Sequence, residues 1–227
     1  MATQPQHRPG QRPGAVQPPA FDAAFRHALT KLLAWRRDVR RFRRDPVAAA
    51  LIEELLDQAC LAPSVGNSQP WRFVSVDSPD RRAEIRANFE DCNARALGGY
   101  AGEKAALYAG LKLSGLAEAP VQLAAFADQA TEAGAGLGRQ TMPETLQYSA
   151  VLAVHTLWLA ARARGLGVGW VSILDPARVA RTLETPASWS LVAYLCLGYP
   201  VEEHLDPELE RAGWQAREAA CRRVLRR

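Results

Sequence analysis

The sequence predicts an α+β fold. Four short apolar runs are bounded by Pro, Gly, Ser or Asp, apolar residues recur at helical spacing between them, and no regular βαβ alternation joins them. The chain has 227 residues, 48% apolar and 23% charged, which is enough to bury one core and rules out wholesale disorder.

Taken in order, residues 1–20 hold five of the fifteen prolines together with Gln, Gly and Arg, and are expected to form a disordered tail. From Phe21 the pattern turns helical, with Phe21, Phe25, Leu29, Leu32 and Leu33 at three- and four-residue steps. A second helix is expected after Asp45-Pro46, with Pro near its first turn and Leu51, Ile52, Leu55, Leu56 and Ala59 as its core stripe. Strands are expected at 71–76, 121–126, 168–173 and 191–197. Residues 80–100 read as a helix followed by a flexible lid, and residues 128–141, with Gly134, Gly136 and Gly138, as a mobile loop. The strongest helix, about 143–164, is apolar around most of its circumference and reads as central and buried, with His155 a core histidine. The expected domain is 21–217, with 218–227 a basic tail.

Charge and cysteines narrow the class. The formal sum is +4, but residues 1–20 contribute +2, residues 214–227 contribute +4, and the stretch between them −2. The basic ends do not make a basic face, which argues against nucleic acid as partner. Cys60, Cys92, Cys196 and Cys221 share no metal-type spacing, and Cys60 and Cys196 lie in apolar runs as expected buried thiols. With no leader ahead of free thiols, a reducing cytoplasm is the expected compartment. The most apolar stretch, 150–161, is too short for a membrane span, and four scattered histidines argue against a metal.

Three segments could carry chemistry. Residues 165–169, Gly-Leu-Gly-Val-Gly, follow a helix and enter a strand, the reverse of a dinucleotide fingerprint, and read as a helix C-cap. Residues 36–44 hold six arginines in nine positions, either an anion site or a solvated basic turn. Asp38 within them would repel a phosphate, so it must face another part of any ligand; its plainer role is a salt bridge or helix N-cap. Residues 62–73, Ala-Pro-Ser-Val-Gly-Asn-Ser-Gln-Pro-Trp-Arg-Phe, form a tight loop whose Asn67 and Gln69 suit either a heterocycle edge or their own backbone.

Arg36-Arg37-Asp38-Val39-Arg40-Arg41-Phe42, then Pro63-Ser64-Val65-Gly66-Asn67-Ser68-Gln69-Pro70-Trp71, then Gly165–Trp170 and Leu197-Gly198-Tyr199-Pro200, resemble in this order the FMN-dependent nitroreductase superfamily. The resemblance covers about residues 21–217. It implies a nitroreductase-like three-layer fold, a central mixed and mainly antiparallel sheet flanked by helices, in an intertwined homodimer with FMN at the interface. Asp38 where those enzymes usually carry Ser, Ser172 in the strand that passes the flavin, and the segments 116–123 and 202–217 resemble the flavin-destroying branch of that superfamily. The implied activity is oxygen-dependent fragmentation of reduced FMN to 5,6-dimethylbenzimidazole, the lower-ligand base of vitamin B12, and erythrose 4-phosphate. O2 and reduced FMN are then substrates, the latter supplied by a separate NAD(P)H-dependent flavin reductase, and no metal takes part.

Carried over residue by residue, the resemblance assigns Arg36, Arg37 and Arg40, with the Val39 backbone, to the phosphate and ribityl chain. Ser64, Val65 and Gly66 would approach from a partner subunit, with Lys112 at the isoalloxazine and Arg217 closing on the phosphate. Asp38 is the implied general base or proton relay, and Ser172 the hydroxyl near the flavin N5. A recycling NAD(P)H-dependent nitroreductase or flavin reductase, and a non-enzymatic flavin-binding module, are the competing readings.

Overall fold

A computed structural model describes residues 17–218 and 221–227. Residues 1–16 of the expected tail, and 219–220 of the basic C-terminus, lie outside the described residues. The described elements are α1 (Ala23–Trp35), α2 (Ala49–Ala59), β1 (Trp71–Ser75), α3 (Pro79–Leu97), α4 (Gly102–Ala109), β2 (Val121–Asp128), α5 (Thr145–Ala163), β3 (Gly167–Val171), α6 (Pro176–Thr182), β4 (Trp189–Gly198) and α7 (Glu208–Arg211). The strands form one sheet in the order β1-β2-β4-β3, antiparallel throughout, with β1 and β3 at its edges.

Local chemistry sets the boundaries. Asp22 caps α1 by accepting from the Phe25 N–H at 2.7 Å, and Asp175 caps α6 ahead of Pro176 by accepting from Ala177 and Arg178. Gly165, at φ +74°, ends α5 in the left-handed region that glycine tolerates, so the glycine-rich stretch is a helix stop leading into β3, as expected.

The core has two layers against the sheet. Leu55 and Ala59 of α2 pack with Leu157, Ala153 and Ala161 of α5 on one face, while Ile85 and Val179 cover the other beside Phe126 and Tyr194. Within the buried core, the Tyr194 hydroxyl donates to Gln122 Oε1 at 2.7 Å and Gln122 Nε2 donates to the Leu116 carbonyl at 2.9 Å, so these polar groups are satisfied.

Several expectations are corrected. Residues 98–110 form a turn and a second helix, α4, because Gly98 and Gly99 stop α3 and an alanine-rich turn restarts the helix. Residues 128–141 include a 3-10 turn, Ala133–Gly136, packed on the turn Val65–Asn67; a Cβ at Gly134 would stand 2.5 Å from the Gly66 carbonyl oxygen. Cys60 is exposed at the end of α2, whereas Cys196 is buried as expected.

His155 is exposed too. The buried stripe of α5 runs Leu146, Ser149, Ala150, Ala153, Val154, Leu157, Trp158, Ala161, so His155 lies on its other face with exposed Tyr148, Val151 and Leu152. Helix α1 has no buried residue, and Phe21, Phe25, Leu29 and Leu33 beside it or on it are more than 40% exposed. Among the described residues, no helix is long and apolar enough to cross a membrane.

Candidate functional site

Phe42 anchors the arginine-rich segment. Its ring is 3% exposed and lies where Gly115 and Gly198 leave room; a Cβ on either glycine would crowd it. The flanking backbone is stitched to the body: Asp38 bridges Val168 in parallel, Phe42 bridges Pro200, the Val39 N–H donates to the Val168 carbonyl at 3.0 Å, and the Arg43 N–H donates to the Tyr199 carbonyl at 2.8 Å. Gly169 permits this approach, since a Cβ there would collide with the Val39 carbonyl oxygen. The arginines therefore leave a fixed backbone beside the outer edge of β3.

Their side chains have different surroundings. The Arg36 guanidinium stacks over the Trp158 ring, 4.9 Å from its centroid, and makes no ion pair among the described residues. Arg37 Nε donates to the Leu205 carbonyl at 2.7 Å, while the Trp158 indole N–H donates to the Arg37 carbonyl at 3.2 Å. Burial pulls the Arg37 pKa down, and repulsion from Arg36 and Arg217 lowers it further against the pull of Asp206 and Glu210. Cations gathered in this way favour a dianion, and the donor set fits a phosphate monoester such as that of FMN. The segment 202–211 faces them: Arg162 pairs with both oxygens of Glu203 at 2.6 and 3.0 Å, and Arg41 with Glu202 and Glu208. An open cleft lies between, lined by Arg37, Asp38, Arg40, Trp158, Glu203 and Glu208 among others.

Asp38 sits where the arginine segment meets β3. Oδ1 accepts the Trp170 N–H at 2.9 Å and Oδ2 accepts Arg40 Nε at 2.8 Å, so it is bound by a salt bridge and caps no helix. Burial pushes the Asp38 carboxyl above the ordinary carboxylate range, opposed by Arg40 and the Trp170 N–H. Arg40 also donates to the Lys112 carbonyl at 3.0 Å, and Lys112 Nζ pairs with Glu118 at 2.8 Å.

The loop 63–70 is built around left-handed backbone at Gly66, Asn67 and Gln69, with φ of +56°, +53° and +46°. Its turn closes on itself, since Ser64 Oγ accepts the Gln69 N–H at 3.0 Å; the Gln69 side chain meanwhile turns to the Asn67 carbonyl. The Val65 N–H donates to Ser149 Oγ near the start of α5 at 3.0 Å.

The structure thus brings Arg36, Arg37, Asp38, Val39 and Arg40 together, with Lys112 joined through its carbonyl. It does not bring Ser64, Val65 and Gly66 to them: these sit at Ser149, whereas Arg36 sits on Trp158, about 14 Å further along α5 at the usual helical rise. Ser172 is exposed and lies just beyond β3, which ends at Val171, so it is not a strand residue as expected. Arg217 is exposed after Trp214, which is held by Tyr100, Tyr108 and Lys104, the last with Nζ 4.1 Å from the indole centroid. Trp158, Arg162 and the Trp170 N–H were not singled out from sequence; the first two lie in a helix whose pattern signals only burial, and a backbone donor has no sequence signal.

Among the described residues no cluster of His, Cys, Asp and Glu suits a metal ion. The model of the nitroreductase family matches residues 33–199. A 5,6-dimethylbenzimidazole synthase of Rhodospirillum rubrum is 60% identical over 199 residues, 88% of this chain and 94% of its own length. Another protein of that name, from Rhodobacter capsulatus, is 54% identical over 195 residues, covering 86% of this chain and 94% of its own. Among solved structures, oxidized iodotyrosine deiodinase bound to FMN and 3-iodo-L-tyrosine is 25% identical and superposes with a TM-score of 0.67, over 87% of this chain and 97% of that one.

Proposed function

The chain belongs to the nitroreductase family, and from that premise we propose that it is a 5,6-dimethylbenzimidazole synthase, an oxidoreductase that fragments reduced FMN with O2 into that base and erythrose 4-phosphate, the pyrimidine end of the isoalloxazine leaving as a third, oxygenated fragment. The observation that carries the reading is the Asp38 carboxylate, fixed on β3 by the Trp170 N–H and set beside an arginine cluster suited to a phosphate. Reduced FMN supplies the carbon skeleton of the base and the electrons taken up by O2.

Arg36 and Arg37 hold the phosphate, with Arg217 closing on it, and the Val39 backbone lies along the ribityl chain. Asp38 accepts a proton from the ribityl carbon or ring nitrogen as the skeleton breaks, and its low-dielectric setting makes it a stronger base than an exposed carboxylate. Ser172, at the exit of β3, donates a hydrogen bond near the flavin N5. Ser64, Val65 and Gly66 reach the flavin from a second copy, which accounts for their separation from the arginines within one chain. The exposed apolar faces of α1 and α5 supply the surface for that homodimer. Residues 21–217 form the catalytic domain, flanked by the two tails. A separate NAD(P)H-dependent flavin reductase in the cytoplasm furnishes the reduced flavin, and no metal is needed.

The test is a product analysis. The purified protein is mixed anaerobically with chemically reduced FMN, air is admitted, and the small molecules are followed by liquid chromatography and mass spectrometry. Dimethylbenzimidazole appearing as flavin disappears is the expected result. Intact oxidised FMN recovered after confirmed binding would overturn the proposal and leave a recycling flavoenzyme or a flavin-binding module.

A further inference from the structure

Arg40 belongs by sequence to the run of arginines assigned to phosphate, yet its side chain is already engaged by groups of its own chain. Nε donates to Asp38 Oδ2 at 2.8 Å and Nη1 donates to the Lys112 carbonyl at 3.0 Å. The side chain is only 13% exposed, and the loop that accepts its second bond is held in place because Lys112 Nζ pairs with Glu118 Oε1 at 2.8 Å. The opposite oxygen of Asp38 takes the Trp170 N–H. Each carboxylate oxygen therefore has one donor, one from the sheet and one from Arg40, and together they fix both the plane of the carboxylate and its distance from β3. Arg36, stacked on Trp158, and Arg37, bonded to the Leu205 carbonyl, lack this geometry.

We infer that Arg40 is a positioning residue, one that orients the Asp38 carboxylate and balances its charge, and is not one of the phosphate anchors. This rests on the reading of Asp38 as the catalytic base. The groups that act most strongly on Asp38 are Arg40 on its own segment, Glu208 of α7, which Arg41 holds, and the neutral thiol of Cys196 on β4, while the cleft that Asp38 lines also carries Arg37, Arg41, Arg162, Arg211, Glu202, Glu203, His204 and Asp206. Among the described residues, Arg40 is the cation that bonds the carboxylate directly. Removing it leaves a half-buried carboxylate with a single backbone donor and a carboxylate neighbour, and the proton is then retained to higher pH.

The experiment compares the parent with Arg40→Gln and Arg40→Lys on three readouts. The first is the affinity for FMN, by fluorescence titration. The second is the pH dependence of dimethylbenzimidazole formation from reduced FMN and O2. The third is the titration of the Asp38 carboxyl carbon by NMR in the flavin-free protein, assigned by its disappearance in Asp38→Asn. For Arg40→Gln, FMN affinity should stay within about threefold of the parent, while the Asp38 titration and the acid limb of the profile both move up by about one pH unit or more, the range set by loss of a neighbouring opposite charge. Arg40→Lys keeps the charge without the two-point fork, so its titration should lie nearer the parent while product formation remains reduced. If Arg40→Gln fails to fold, Arg40→Lys decides alone: lost FMN affinity with an unchanged product yield from bound flavin would overturn the inference. So would an Arg40→Gln protein in which affinity falls as much as turnover and the Asp38 titration does not move. Full product formation by Asp38→Asn would instead remove the base reading itself, whatever Arg40 does.

Discussion

Replacing Gly169 with alanine tests how the arginine segment is held. A methyl group at this position of β3 would press on the Val39 carbonyl oxygen from well inside the 3.0 Å that Cβ contacts respect. Restoring van der Waals separation requires the segment to back away by on the order of 1 Å. That movement breaks the bond from the Val39 N–H to the Val168 carbonyl, now 3.0 Å, and the bond from the Trp170 N–H to Asp38, now 2.9 Å. A neutral bond contributes about 1 kcal/mol net and one to a charged group roughly 1.5–3, so the combined loss is about 3 kcal/mol. For a chain of this size that corresponds to a fall in melting temperature on the order of 6–12 °C. Circular dichroism melts give the stability, and FMN titration below the transition gives binding, which should weaken because Asp38 and the arginine backbone move together. A Gly169→Ala protein that melts with the parent and binds FMN as tightly would refute the close approach on which the site is built.

Asp38→Asn should still bind FMN but lose roughly 10²–10⁴ in product formation, the usual contribution of a general base, as measured by chromatography of the products. Asp38 keeps its proton to higher pH folded than unfolded, so its contribution to stability is fully present below the ordinary value of 3.8 and is lost as pH rises through the raised one. Denaturant titrations across that window should show the parent losing stability relative to Asp38→Asn as pH increases. Leu29→Glu places a charge on the exposed apolar face of α1, where Leu29 is 41% exposed, and light scattering should then report monomers with weakened FMN affinity. Burial pushes the Cys196 thiol up to about 12, so mass spectrometry should find it unalkylated by iodoacetamide at neutral pH until the protein is unfolded.

Much of this was legible in the sequence because the signals are local. The four strands were bracketed by their turn residues, and their ends moved by at most two residues because pairing with β2 and β4 extends or trims them. The arginine run and the loop 63–70 stood out by composition. What the sequence did not carry was direction. Six neighbouring arginines look alike as letters, but anchoring Phe42 beneath Gly115 and Gly198 sends Arg36 to Trp158 and Arg40 to Asp38. His155 was misplaced because a helix apolar nearly all round does not say which face its own chain covers. Cys60 was misplaced because the apolar stripe of α2 ends one residue before it.

The bridges that fix the arginine segment also shield the margin of the sheet. Strand β3 is the outermost strand on its side, and Asp38 and Val39 occupy part of its free edge. An uncovered edge carrying Val168 and Val171 is a template on which another chain's strand can add. Substitutions that loosen this segment therefore act on solubility as well as on chemistry, and screening them for soluble yield alone would discard variants whose defect lies in the reaction. The same coupling gives the segment little freedom to drift, because any rearrangement that suited a different ligand would also have to keep the edge closed.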